Sequence, residues 1–269
     1  MTTLMAIGGA INYKQPRILA EFVRRAEGPQ ARLLILPQAS AMEDTGVFYR
    51  DMFCSLGVDQ PADILTCVER LEVDQSANLD AVKRATGIFI AGGNQMRLTT
   101  LFAGTQLEAE LLAAYRRGAV LAGTSAGAAV LSKVMLAFGR SGPTPRQSLA
   151  QFSPGFGFTD KLIFDQHFRQ RDRLGRLMYA VTTYPGLLGV GIDENTVAVL
   201  EDDRLISVLG TGAVTIVDGH EVSATDAAEV TGHVPIAVAG LKVHVLTEGC
   251  RYDIHQRQAL IPKKMSRFD

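Results

Sequence analysis

Through the first half of this sequence, short apolar runs bounded by Gly, Pro or Asp alternate with longer segments of helical period. A short unbroken apolar run suits a strand buried on both faces, whereas apolar residues three and four apart bury one stripe of a helix. A chain that keeps exchanging the two patterns can bury both only by laying helices across the faces of a sheet. The expected strands are Leu4 to Ile7, Leu33 to Leu36, Ile64 to Val68, Gly87 to Ala91 and Ala119 to Ala122. The expected helices lie around Arg17 to Ala26, Glu43 to Leu56, Asn78 to Arg84 and Leu107 to Arg117. In the last of these, Leu107, Leu111, Leu112 and Tyr115 share one face while Glu108, Glu110, Arg116 and Arg117 take the other. The predicted fold class is α/β, a mostly parallel sheet flanked by helices.

The second half changes character. After the segment from Arg169 to Thr183, strand-like runs follow one another at Leu187 to Ile192, Thr196 to Leu200, Leu205 to Leu209, Ala213 to Val217 and Leu241 to Thr247. Gly or Asp punctuation between them predicts hairpins and mixed sheet edges, hence additional C-terminal β strands. No linker, repeat or low-complexity segment divides the chain, and 269 residues at 47% hydrophobic and 20% charged can build one sizeable core. A single α/β domain over 1–269 is expected. Gly139 to Phe158, rich in Gly, Pro and Ser, is the one long irregular stretch, of a kind that tends to serve function.

Composition removes several classes of function. With 27 Lys and Arg against 28 Asp and Glu, the formal charge of −1 suits neither a nucleic-acid binder nor a protein of anionic membrane surfaces. The three cysteines, Cys54, Cys67 and Cys250, have no close spacing and sit among apolar residues, which predicts buried free thiols rather than disulfides or a zinc site. The first residues lack the basic and apolar regions of a secretory signal, and nowhere do about 18 apolar residues run together. A cytoplasmic location is expected.

The strongest local signal is Val120-Leu121-Ala122-Gly123-Thr124-Ser125-Ala126-Gly127-Ala128-Ala129-Val130-Leu131. It reads as a buried strand, a G-x-S-x-G turn and a small-residue helix start, the setting in which a serine is thrust out of a strained turn as a nucleophile. The Ala126 amide at the helix start would face a developing oxyanion. Gly92-Gly93-Asn94-Gln95 also ends an apolar strand, so the amide of Gly93 can supply a second donor and Gln95 a substrate contact. There is no G-x-G-x-x-G for a dinucleotide.

A serine needs a base, and the chain has five histidines. His220 stands in a turn, His233 in a loop, His244 in an alternating strand and His255 in a polar tail. His167 alone follows an apolar run, Leu162-Ile163-Phe164, and so stands at a strand's carboxyl end, where ligand crevices of α/β sheets lie. Its orienting acid is expected in Asp193-Glu194, at the end of another apolar run; adjacent residues of a strand face opposite sides, and pattern does not rank the two. Asp165 is a rival orienter that fits a helix cap or a ligand contact better. At about 100° per residue, a helix starting at His167 puts Arg171 beside it and turns Arg169, Arg173 and Arg176 toward solvent.

These motifs, together with Ile7-Gly8-Gly9-Ala10, Pro37-Gln38-Ala39-Ser40, Asp165-Gln166-His167-Phe168 and Gly191-Ile192-Asp193-Glu194, make the chain similar to the cyanophycinase family of serine peptidases from about Ile7 to Val199. That family is related to the aspartyl dipeptidases. The resemblance implies a class I glutamine amidotransferase-like (flavodoxin-like) fold, a homodimer and no metal or cofactor. It implies Ser125 as nucleophile, His167 as base and Glu194, rather than Asp193, as orienting acid. Gln95, Asp165, Gln166, Arg171, Arg173 and Arg176 match its substrate-binding positions. The implied substrate is cyanophycin, a poly-aspartate backbone bearing arginine on each β-carboxyl, cut to β-aspartyl-arginine dipeptides. The nearest rival is an aspartyl dipeptidase acting on short peptides with N-terminal Asp; a non-catalytic binding protein of the same fold is the third reading.

Overall fold

A computed structural model describes residues 1–262, so the domain expected over 1–269 extends past the described residues. The first half is built of β1 (Thr3–Ile7), α1 (Arg17–Arg25), β2 (Leu33–Leu36), α2 (Thr45–Ser55), β3 (Asp63–Ile64), α3 (Ser76–Arg84), β4 (Gly87–Ile90), α4 (Gln95–Phe102), α5 (Gln106–Arg116) and β5 (Val120–Thr124). Next come α6 (Ala126–Ala129), the hairpin of β6 (Val134–Gly139) and β7 (Ala150–Pro154), then β8 (Leu162–Gln166), α7 (Leu174–Thr183) and β9 (Leu188–Ile192). The chain continues with β10 (Thr196–Glu201), β11 (Leu205–Gly210), β12 (Ala213–Asp218), a short pair β13 (Ala224–Thr225) and β14 (Val238–Ala239), β15 (Lys242–Thr247), β16 (Arg251–Asp253) and β17 (Gln258–Leu260).

Nine strands form the main sheet in the order β17-β16-β11-β10-β1-β5-β4-β2-β3. From β1 to β3 every pairing is parallel, and from β1 to β17 every pairing is antiparallel. The mostly parallel sheet expected from sequence is therefore an evenly mixed one. The reason is local: Asp202 and Asp203 take positive φ in the tight turn between β10 and β11, and such a turn can join only antiparallel neighbours. A second sheet, ordered β15-β12-β9-β8, pairs β8 with β9 in parallel through α7 and is antiparallel elsewhere.

One face of the main sheet is closed by α1 and α2, where Phe22, Tyr49, Phe53 and Phe89 form an aromatic cluster. The other face packs Leu4, Ile88, Ile90 and Leu121 into the same core as Phe164, Val190, Ile192 and Val214 of the second sheet. All five residues of β1, of β8 and of β9 are buried, the apolar ones as strands covered on both faces require, and Asp165 and Gln166 at the end of β8 through polar partners.

Other expectations shift. The strand expected over Ile64 to Val68 shrinks to β3, and α4, which the apolar pattern did not mark, starts where the Asn94 side chain accepts from the Met96 amide at 2.9 Å. Part of the irregular stretch becomes β7, paired across a register shift between Leu136 and Phe138. All three thiols are free, with Cys67 and Cys250 buried but Cys54 exposed. Among the described residues no helix is long and apolar enough to cross a membrane.

Phe89 is fully buried, with ring centroids 4.5 Å from Tyr49 and 5.5 Å from Phe53. Its replacement by alanine leaves a cavity between rigid β4 and the helices. Phe89→Ala is expected to lower unfolding free energy by about 3–5 kcal/mol in urea titration, with an unchanged slope.

Candidate active site

Ser125 sits between the last residue of β5 and the first of α6 with φ 52° and ψ −112°, a left-sided conformation that costs energy for a residue bearing a side chain. The turn is held because the Ser125 amide donates to the Ile7 carbonyl at 3.0 Å, extending the β1–β5 ladder by one step. Its neighbours are small by necessity: Gly92 lies against the Ser125 side chain.

His167 follows β8 in an equally unusual conformation, φ 48°, and its amide donates to the Gly8 carbonyl at 2.8 Å. Gly9 has φ +94° and faces the imidazole so closely that a Cβ there would overlap the ring. Both constraints aim the ring at Ser125. The Ser125 Oγ to His167 Nε2 distance is 2.9 Å, and His167 Nδ1 to Glu194 Oε1 is 2.6 Å. When Nδ1–H donates to the carboxylate, Nε2 is left to accept a proton from the hydroxyl.

The two adjacent acids separate cleanly. Asp193 points the other way and accepts from the Arg169 amide at 3.1 Å and the Ala213 amide at 3.0 Å, tying the loop after β8 to β12. Glu194 faces the imidazole, and its amide donates to the Gln170 side chain at 3.1 Å. Burial, the largest influence, pushes the His167 pKa below its ordinary 6.5; the Glu194 hydrogen bond opposes this, and the Arg171 and Arg173 charges add to it. The imidazole is therefore neutral, and able to accept a proton, at neutral pH.

Ser125 and His167 open onto a cleft of about 380 Å³. Tyr13, Met42, Phe48 and Tyr49 give it an apolar wall, and Asp44 adds an exposed carboxylate. This wall was not foreseen, since Tyr13 and Phe48 meet edge to face at 4.9 Å from separate elements and no spacing in the sequence links them. Gly93 lines the same cleft, and among the described residues neither its amide nor that of Ala126 is engaged in a hydrogen bond.

The remaining candidates fall into two groups. Asp165 is fully buried and receives the Arg176 guanidinium on both oxygens, Nε to Oδ2 at 2.6 Å and Nη2 to Oδ1, with Arg173 Nη1 at 3.3 Å. Arg173 also donates to the Gln166 backbone carbonyl and, at 3.0 Å, to its side-chain oxygen. Arg173 and Arg176 are thus buried rather than solvated as the helical wheel expected, because α7 begins at Leu174 and the preceding residues form a 3-10 turn, which shifts the phase. Burial lowers the Arg173 pKa to about 10, leaving it charged. Gln95 donates to the Leu136 and Ala137 carbonyls, joining α4 to β6 rather than lining the cleft. Arg171 is exposed, with no side-chain partner among the described residues.

Comparison with known proteins places the chain. The model of peptidase family S51 matches residues 4–208. The chain belongs to peptidase family S51. It is therefore a peptidase. Proteins named cyanophycinase are similar to it over most of their length: that of Synechococcus elongatus is 42% identical over 95% of this chain and 80% of its own. Those of Trichormus variabilis and Geminocystis herdmanii are 39% and 37% identical over 96% of this chain and 88% and 96% of their own. A solved peptidase from an acI-B1 Actinobacterium has the same fold, with a TM-score of 0.67 at 21% identity over 94% of this peptidase and 97% of that chain.

Two outcomes follow from the site's charges. Because the His167 pKa is depressed, hydrolysis should persist on acidification until the pH falls through a midpoint below 6.5. In Glu194→Gln the hydrogen bond that raises this pKa is weakened, so the acid limb of kcat/KM against pH should move lower still while kcat falls about 10²–10⁴-fold. Asp165→Asn strands two buried guanidiniums and should cost about 3–5 kcal/mol of stability in denaturant titration.

Proposed function

We propose that this S51 peptidase is a cyanophycinase, a serine-type hydrolase that cuts cyanophycin to β-aspartyl-arginine dipeptides. The observation that carries this reading is the hydrogen-bonded series Ser125–His167–Glu194 at the mouth of an apolar cleft. The names of relatives 37–42% identical supply the substrate.

In this mechanism Ser125 Oγ attacks the backbone carbonyl next to a β-linked aspartyl residue while His167 Nε2 takes its proton. Glu194 holds the ring and stabilises the imidazolium. The amides of Gly93 and Ala126 stabilise the oxyanion, acting without reorganisation because the strained turns already fix them. Collapse expels the amine, which receives the proton from His167. Water then attacks the acyl-enzyme with His167 again as base, freeing the dipeptide. Every proton and charge in this sequence is met by a side chain or amide, so no metal or cofactor is required by the chemistry.

Arg171, exposed and near enough to His167 for its charge to lower that pKa, is the guanidinium we assign to a substrate carboxylate, and Asp44 in the cleft lining is assigned to a substrate arginine. Asp165, Gln166, Arg173, Arg176 and Gln95, engaged with one another or with backbone and absent from the cleft lining, serve the site by holding the segments around His167 and β6. We further propose that the fold is of the class I glutamine amidotransferase-like type, a single domain working as a homodimer in the cytoplasm. The parallel half of the sheet, with the serine turn after β5, supports that assignment.

Incubation with insoluble cyanophycin should clear the suspension and release dipeptides, whereas peptides with N-terminal Asp should be cut slowly. Ser125→Ala should fold normally and lose at least about 10⁴-fold in turnover. Wild-type rates in that variant would end the mechanism, and faster cleavage of short aspartyl peptides would make this a dipeptidase.

A further inference from the structure

A second cavity, of about 310 Å³, lies away from Ser125, between the loop over 140–149 and His233. Arg140, Arg146, Ser148 and His233 line it together with Ser141 and Thr144, and no carboxylate does. Ser148 Oγ and His233 Nδ1 are 3.0 Å apart, and Arg146 Nη1 donates to the His233 carbonyl at 2.9 Å, so the walls are fastened to each other. That bond occupies one of the five N–H donors of Arg146. The Arg140 side chain has no partner among the described residues, and neither arginine forms an ion pair there. Two guanidiniums converging on a hydroxyl-lined hollow, with no acid to neutralise them, form a receptor for an anionic oxygen pair.

The loop carrying these groups is also stitched to the segment after His167. The Gly142 amide donates to the Asp172 carbonyl at 2.8 Å, and the Gly142 carbonyl accepts from Gly175 at 2.9 Å. Gly139, at the end of β6, packs against the Arg176 guanidinium. The loop lining the cavity is thus tied by backbone hydrogen bonds to the segment that follows His167.

We infer that this cavity is an exosite for carboxylates of the polymeric substrate. The inference rests on the function proposed above: in cyanophycin each arginine is attached through its α-amino group, so every repeat presents a free α-carboxylate. A polymer threaded through the Ser125 cleft carries a row of such groups beyond the scissile bond. Engagement of one of them raises the local concentration of chain at the cleft and favours long polymer over short fragments. An inorganic anion offers the same oxygen chemistry, and the test separates the two.

Co-sedimentation with insoluble cyanophycin should be measured in a Ser125→Ala background, which prevents digestion, with and without R140A/R146A. Loss of the two forks should weaken polymer binding about tenfold, or more. With Ser125 restored, R140A/R146A should hydrolyse a soluble two-repeat fragment with kcat/KM within about twofold of wild type. Undiminished polymer binding would overturn the inference, as would an equal loss on the short fragment. If calorimetry with inorganic phosphate shows binding that R140A/R146A abolishes while polymer binding stays intact, the site serves a free anion and the polymer assignment fails. Arg140→Gln, altering one exposed side chain, repeats the binding test if the double variant melts early. Wild-type protein that leaves cyanophycin intact would refute the proposed function, a result read separately from sedimentation.

Discussion

The site depends on one backbone contact, the hydrogen bond from the His167 amide to the Gly8 carbonyl. Ser125 belongs to the main sheet and His167 to the second, so neither sheet's internal ladder fixes the distance between hydroxyl and imidazole. The turn after β1 performs that task. Ile7 accepts from Ser125, Gly8 accepts from His167, and Gly9 accepts from Asn195 at 2.9 Å, just beyond Glu194. Three successive carbonyls therefore hold the three segments that carry the hydroxyl, the imidazole and the carboxylate. The turn must lack side chains to do so: a Cβ on Gly8 would strike the Asp193 backbone, and one on Gly9 the imidazole itself.

A second constraint is electrostatic. Asp165, two residues before His167 in β8, is wholly enclosed and faces two arginines. Two cations against one anion leave a surplus positive charge inside the protein, near enough that Arg173 helps lower the His167 pKa. Glu194 opposes this from the other side of the ring. The imidazole is consequently held between a field that disfavours its charged form and a carboxylate that favours it, which is the balance a general base working near neutral pH requires.

Much of this was legible in the sequence where the information is local. The strand, turn and small-residue helix around Ser125 encode their geometry within a dozen residues, and the placement of His167 after an apolar run follows the same logic. The choice between Asp193 and Glu194 was not legible from pattern, because it depends on where Ala213 and Arg169 present their amides. The arginine face was misjudged for a definable reason: a wheel started at His167 assumes continuous α-helix, while the chain makes a 3-10 turn and an Asp172 at positive φ before α7 begins. The aromatic wall and the half-antiparallel sheet were hidden because each arises from contacts between segments distant in sequence, or from a two-aspartate turn whose hairpin register only the folded sheet specifies.

On the proposed function, the distribution of charge within this near-neutral chain accounts for how it would address a zwitterionic polymer. A net charge of −1 gives no long-range pull toward either sign, so recognition has to be built from short-range pairs. The structure separates the signs into compartments: Asp44 in the cleft, Arg171 beside the imidazole, and Arg140 with Arg146 in the hollow beyond. Each compartment suits one end of an arginyl side chain, guanidinium or carboxylate. If the proposed exosite operates, a polymer that repeats both ends at fixed spacing would satisfy several compartments at once, whereas a short peptide would satisfy one, and selectivity for length would follow without any strong single contact.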